Sequence, residues 1–181
     1  MLLIKSFAAA GGAVNGYWAG GDSGSVSSIT DRIAFSTSVT AANTDSDLST
    51  NRAYLGHCSD TTINGYFAGG APGPSSVTDR IVFATSVTSA NTDSDLPVAI
   101  ANNCGTSDGA TYGYFAGGTS TSTTTAAHRI VFSSGVTSAN TDSNISTARR
   151  YLVGVSDGAT YGYFAGGDTS TPQTTVDRIV F

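Results

Sequence analysis

Gly113-Tyr114-Phe115-Ala116-Gly117-Gly118 is a phrase of six residues that the chain repeats. It returns unchanged from Gly65 and from Gly162, and as Gly16-Tyr17-Trp18-Ala19-Gly20-Gly21 near the start. The leading glycines lie 49, 48 and 49 residues apart, a fixed long period of the kind that marks a propeller, a solenoid or an array. In an extended strand the Tyr and Ala of the phrase share one face and the Phe or Trp takes the other. The closing pairs Gly20-Gly21, Gly69-Gly70, Gly117-Gly118 and Gly166-Gly167 permit a sharp turn and close backbone approach, and are read as structural.

Outward from the phrase, each copy lays out the same unit. An apolar run precedes it, at Ser6 to Ala10, Ala53 to Cys58, Val98 to Cys104 and Arg150 to Val155, and is read as strand a. A turn rich in Ser, Asp and Gly follows, clearest at Ser107-Asp108-Gly109 and Ser156-Asp157-Gly158. The phrase itself is strand b. After a loop of about ten residues comes strand c, at Asp31 to Phe35, Asp79 to Phe83, His128 to Phe132 and Asp177 to Phe181, short segments with strand periodicity. A Ser/Thr turn then leads to a fourth strand carrying Ala-Asn-Thr-Asp-Ser-Asp, at Ala42 to Asp47 and Ala90 to Asp95, with Asn144 replacing the last Asp in the third copy. The chain ends at Phe181, before the fourth copy of this strand.

A unit of four short antiparallel strands and about 48 residues matches a propeller blade better than the shorter coils of a β-helix or leucine-rich repeat. The expected fold is all-β and kelch-like: one propeller domain over 1–181, with blades at about 5–48, 49–97, 98–145 and 146–181, the last lacking its outer strand. Composition agrees. Charged residues make up 12%, all the acids are Asp, and Lys5 is the only lysine, so strong helix formers are scarce and almost no helix is expected. Four blades can close with the N-terminal strand against the last blade, or with Met1 to Ile4 on its strand c; a second chain can equally complete the ring. The last strand c presents an open apolar edge that needs cover.

The order of apolar strand, Tyr-aromatic-Ala-Gly-Gly, loop and Arg-Ile-Val-Phe strand resembles the kelch repeat, whose blades end the second strand in a double glycine. The resemblance covers essentially the whole chain. It departs where that family usually places Trp on the fourth strand, since Ala90 and its neighbours stand there. The Ser/Thr-rich wording, GYFAGG followed by TDRIVF, is also similar to kelch-type repeat proteins of tailed bacteriophages of marine bacteria. That resemblance implies a virion or tail-fibre component.

A net charge of −5 argues against nucleic acid, which needs clustered Lys and Arg. The opening Met-Leu-Leu-Ile-Lys-Ser-Phe has no basic region ahead of its apolar stretch and is too short for a signal peptide or a membrane span, so no membrane partner is expected and export would need another route. Positions that differ between copies are free to carry function, and the b–c loops diverge most, at Asp22 to Ile29, Ala71 to Val77, Thr119 to Ala127 and Asp168 to Val176. Strand alternation puts them on the same face as the connections from strand d to the next strand a. Candidate binding residues there are Asp22, Ser25, Ser75, Ser76, Thr121, Thr124, Thr171 and Gln173. The simpler alternative is that these are tolerant surface loops.

Arg32, Arg80, Arg129 and Arg178 recur on strand c. Four guanidinium groups around a ring suggest an anion site, but the structural reading is stronger: Arg32 with Asp45 or Asp47 and Arg80 with Asp93 or Asp95 pair across strands c and d, which leaves Arg178 without a local acid. The Asn-Thr-Asp-Ser-Asp stretches lack the glycine and terminal Glu of an EF-hand and are read as capping turns before calcium sites. Cys58 and Cys104 are too few for a disulfide framework and, with His57 and His128, have no zinc-finger spacing; small buried thiols are expected. Some kelch propellers, galactose oxidase among them, are copper enzymes, and no matching Tyr/His/Cys ligand set is found.

No cofactor and no catalysis are expected. The leading expectation is a non-enzymatic structural or recognition module that meets a protein or surface glycan through the b–c loops, as a homo-oligomer or within a virion assembly. The alternative is a lectin-like propeller with one sugar pocket per blade, which repeated aromatic-plus-Asp pockets would favour.

Overall fold

The computed structural model describes residues 6–8, as backbone, and 15–181. Among these described residues fifteen strands form four antiparallel sheets, each a meander in sequence order. Sheet 1 comprises β1 (Ser6–Ala8), β2 (Asn15–Asp22), β3 (Val26–Ala34) and β4 (Val39–Ala42). Sheet 2 comprises β5 (Gly56–Ser59), β6 (Asn64–Ala68), β7 (Thr78–Val82) and β8 (Val87–Ala90), and sheet 3 β9 (Cys104–Ser107), β10 (Tyr112–Ala116), β11 (Ala127–Val131) and β12 (Val136–Ala139). Sheet 4 has three strands, β13 (Val153–Ser156), β14 (Tyr161–Ala165) and β15 (Val176–Val180). The only helical segments among the described residues are single 3₁₀ turns, Thr44–Ser46, Thr92–Ser94 and Thr141–Ser143.

Strands b and c form where the periodicity places them in sheets 2 to 4; in sheet 1 they run on to Asp22 and start again at Val26, so most of the expected loop Asp22 to Ile29 is paired strand. The other two are displaced. Strand a starts at Gly56, Cys104 and Val153, later than the apolar run alone indicates. The earlier part of that run is connection, because Ala53, Ile100, Ala101 and Arg150 make single bridges to the b–c loops instead of joining a ladder. Strand d is the Val-Thr-Ala/Ser-Ala segment before the Asn, so the fourth strand ends where Asn-Thr-Asp-Ser-Asp was expected to continue it. The Asp and Asn that close that motif accept backbone N–H groups instead: Asp47 Oδ1 from Thr30 at 2.8 Å, Asp95 Oδ1 from Thr78 at 2.7 Å and Asn144 Oδ1 from Ala127 at 2.9 Å. An amide oxygen serves this geometry as well as a carboxylate, which explains the Asn in the third copy.

Each sheet packs on the next across its own apolar core. Tyr17, Leu48, Leu55, Phe67 and Ile81 fill the space between sheets 1 and 2. Cys58, Tyr66, Phe115, Ile130 and Phe132 fill that between sheets 2 and 3, and Cys104, Tyr114, Leu152, Phe164 and Ile179 that between sheets 3 and 4. Both cysteines are buried and neither is in a disulfide, and burial pushes the Cys58 thiol well up. A Tyr from each sheet lies against a Phe of the next, Tyr17 with Phe83 at 6.0 Å between centroids, Tyr66 with Phe132 at 5.7 Å and Tyr114 with Phe181 at 5.7 Å. The first strands come closest. A Cβ at Gly105 would meet the His57 carbonyl, and one at Gly154 the Gly105 carbonyl, so backbone rests on backbone from β5 to β9 to β13. Met1 to Ile4 lie outside the described residues, and β1 pairs with β2 of its own sheet.

Candidate functional site

The b–c loops and the d-to-a connections share one face, as strand alternation requires, and they are bonded to each other. Ala53 pairs with Ala71, Ser75 with Ile100, Ala101 with Thr119 and Arg150 with Asp168. The paired glycines make this possible. All eight adopt positive φ, from +64° at Gly117 to +135° at Gly21, a region that side-chain-bearing residues rarely enter.

Two arginines that the sequence reading did not single out anchor the loop bases. Arg52 donates to the Gly69 carbonyl at 2.5 Å and the Val77 carbonyl at 2.7 Å, and forms an ion pair with Asp79. Arg149 repeats the arrangement, donating to Gly166 at 2.7 Å, to Phe164 at 3.1 Å and to Asp177 at 2.6 Å. Burial lowers Arg52 against the opposing pull of Asp79. Burial pushes Asp177 up, yet the hydrogen bonds from Ser146 and Arg149 outweigh it and hold the carboxyl below its usual range. In sheet 3 the corresponding positions are Ile100 and His128, both buried, so arginine and acid are replaced together. Both His128 ring nitrogens lack a hydrogen-bond partner, and burial keeps its pKa low. Their double substitution within one chain was the available signal that these positions touch.

The strand c arginines do not pair with the acids proposed for them. The ion pairs among the described residues are Arg52–Asp79, Arg149–Asp177 and Arg150–Asp168. Asp47 and Asp95 are committed to backbone amides, as above. Arg32, Arg80, Arg129 and Arg178 stand opposite the tyrosines of the repeated phrase. Arg129 lies over the Tyr112 ring at 4.8 Å and Arg178 over Tyr161 at 4.7 Å, which is the partner Arg178 seemed to lack.

The candidate binding residues fall into two groups. Ser25, Thr121 and Thr171 are exposed at loop tips. The others shape the loops. Asp22 accepts from Gly24 N at 2.8 Å, Ser75 Oγ from Val77 N at 3.1 Å and Thr124 Oγ1 from Ala126 N at 3.0 Å. The Ser76 carbonyl accepts from Leu96 N at 2.8 Å, and the Gln173 amide donates to Thr169 Oγ1 at 3.0 Å and the Thr171 carbonyl at 2.9 Å. The loops are therefore hydrogen-bonded internally, with small hydroxyl side chains at their tips.

The opposite face carries a groove of about 640 Å³ where β5, β9 and β13 meet their a–b turns, lined by His57, Thr106, Ser107, Asp108 and Asp157. Its carboxylates are occupied in part by the turns. Asp108 Oδ1 accepts from Ala110, Thr111 and Tyr112, and Asp157 Oδ1 from Ala159, Thr160 and Tyr161. Those backbone donors hold Asp157 below the usual carboxylate range. Among the described residues no group of three His, Cys, Asp or Glu side chains is placed to hold a metal ion. A smaller hollow of about 200 Å³ on sheet 1 is lined by Trp18, Ile29 and Asp31. Its counterparts Phe67 with Asp79, Phe115 with His128 and the ring of Phe164 are buried between sheets, so this aromatic-plus-acid arrangement is open only on sheet 1. No helix among the described residues is long and apolar enough to cross a membrane. Compared with known proteins, the chain matches no family model and no curated sequence.

Proposed function

We propose that the chain is a non-enzymatic structural and recognition module, a kelch-like propeller of the virion or tail-fibre type, which contacts a protein or surface glycan through its b–c loops. The observation that carries this reading is a contrast within one chain. The frame repeats almost residue for residue, whereas the b–c loops change sequence in every copy and lie on one face. Their internal hydrogen bonds and the Arg52 and Arg149 anchors lower the ordering cost of binding. Ser and Thr at the tips suit wet, adaptable contacts. The close approach of β5, β9 and β13 is what blades gathered around a common axis need.

The test has two parts. An antibody to the chain should label the surface of purified virus particles in electron micrographs; unlabelled particles would remove the virion assignment. Glycan arrays and host-cell adhesion assays should then show binding that disappears when Thr119 to Ala127 and Asp168 to Val176 are replaced by Gly/Ser loops of equal length. Binding unchanged by that replacement would remove the b–c surface.

A further inference from the structure

Among the described residues, sheets 1 and 4 each leave one face uncovered, and the two faces are the halves of the interface that the chain builds three times internally. On sheet 4 the open face carries Val153, Val155, Tyr163 and Val176, the valines being 65%, 55% and 58% exposed. Their counterparts in sheet 3, Cys104, Thr106, Tyr114 and Ala127, are all buried under sheet 4. On sheet 1 the open face carries Trp18, Ile33 and Phe35, with Phe35 41% exposed where Phe132 is 8%. In each internal interface a Tyr of the repeated phrase packs against the strand c Phe of the following sheet, stacked in two and tilted in the third. Tyr163 and Phe35 are the Tyr and the Phe left over.

A second register point agrees. The space beside Gly113 is filled by Cys58 of the preceding sheet and that beside Gly162 by Thr106 at 2.9 Å. Beside Gly16 the three nearest atoms belong to Phe35 and Ile33 of the same sheet, and among the described residues no preceding sheet supplies the counterpart of Cys58 or Thr106. The residue equivalent to Cys58 and Thr106 that has no glycine to cover is Val155, on the open face of sheet 4.

We infer that the chain associates head to tail with a second copy of itself, the open face of sheet 4 receiving the open face of sheet 1, with Tyr163 on Phe35 and Val155 beside Gly16. Such an interface is heterologous. It repeats from copy to copy and gives a closed ring or a filament according to the rotation between copies. This does not depend on the b–c loops or on a virion location.

Light scattering on a concentration series of the intact chain tests it. The mass should rise in whole multiples of one chain. F35D and Y163D remove opposite faces, both at exposed or half-buried positions, and each alone should stay at the mass of one chain with an unchanged circular dichroism spectrum. Mixed together they should give a 1:1 dimer and nothing larger, because the mixture holds one intact tail and one intact head. A wild-type chain of single mass at every concentration overturns the inference. So does assembly that survives in both variants, or a mixture that stays monomeric while the wild type assembles.

Discussion

At the scale of single residues, the pairs under the loop face dominate stability. Arg52 and Asp79 are 3% and 0% exposed, so R52A strands a buried carboxylate and should cost about 3–5 kcal/mol in chemical denaturation. The double variant R52I/D79H copies the solution sheet 3 already uses at Ile100 and His128. Its loss should be smaller than the sum of the two single losses by about 1 kcal/mol or more; additive losses would show that the two positions do not act together. Ser38 sits at φ +55°, where Gly135 stands in sheet 3 at +69°. S38G should therefore raise stability by about 0.5–1 kcal/mol, read as a higher melting temperature, because an exposed non-glycine residue leaves a strained conformation.

Titration follows from the same residues. His128 is held neutral by burial, while in the unfolded chain it takes up a proton near its ordinary value of about 6.5. The unfolded state then binds more protons, so stability is complete above that pH and declines as pH falls toward the depressed folded value. Asp157 and Asp177 are also depressed, so a second decline begins below the ordinary carboxylate value of about 4. Urea midpoints measured across this range should show both steps, and I100R/H128D, which installs the Arg–Asp pair of sheets 2 and 4, should remove the upper one. An unchanged upper step in that variant would assign it to another group.

At the scale of elements, two devices join the sheets besides their apolar cores. One is the close contact of first strands. G154A drives a Cβ into the Gly105 carbonyl, which belongs to backbone and has no rotamer to yield. It should cost at least the roughly 1–3 kcal/mol of ordinary overpacking and loosen sheet 4, measured by thermal unfolding and by faster amide exchange in Val176–Val180. The other device is the 3₁₀ turn after strand d. Ser46 Oγ donates to the Ser86 carbonyl and Ser94 Oγ to the Gly135 carbonyl, both at 2.5 Å, so each turn clips its sheet onto the c–d turn of the next. S94A should cost about 0.5–1.5 kcal/mol. The Asn-Thr-Asp-Ser-Asp motif is thus a clasp, with its Ser facing the neighbour and its last residue bound to its own sheet.

At the scale of the molecule, the chain is a row of sheets in which each touches its neighbours, so stability is close to a sum of units and interfaces. Amide exchange should be slowest in Gly113 to Ala116, covered on both sides, and faster in sheets 1 and 4, each covered on one. In the assembled state the protection of sheets 1 and 4 should rise toward that of the interior sheets.

The sequence by itself determined the unit and its repetition. A period of 48 or 49 residues, strands b and c, the positive-φ glycines and the shared face of the variable loops all rest on local periodicity and backbone sterics, which a chain displays without folding. Tertiary structure decided what each side chain meets. The strand c arginines looked like partners for the nearest acids in sequence, but Asp47 and Asp95 turn to backbone amides and leave those arginines beside tyrosine rings. Arg52 and Arg149 looked like ordinary connection residues, yet the return of the chain buries them against Asp79 and Asp177. The ends of strands a and d moved for a related reason: an apolar run pairs only where a neighbouring strand lies alongside it, and which residues find that neighbour is set by packing between sheets, not by the run itself.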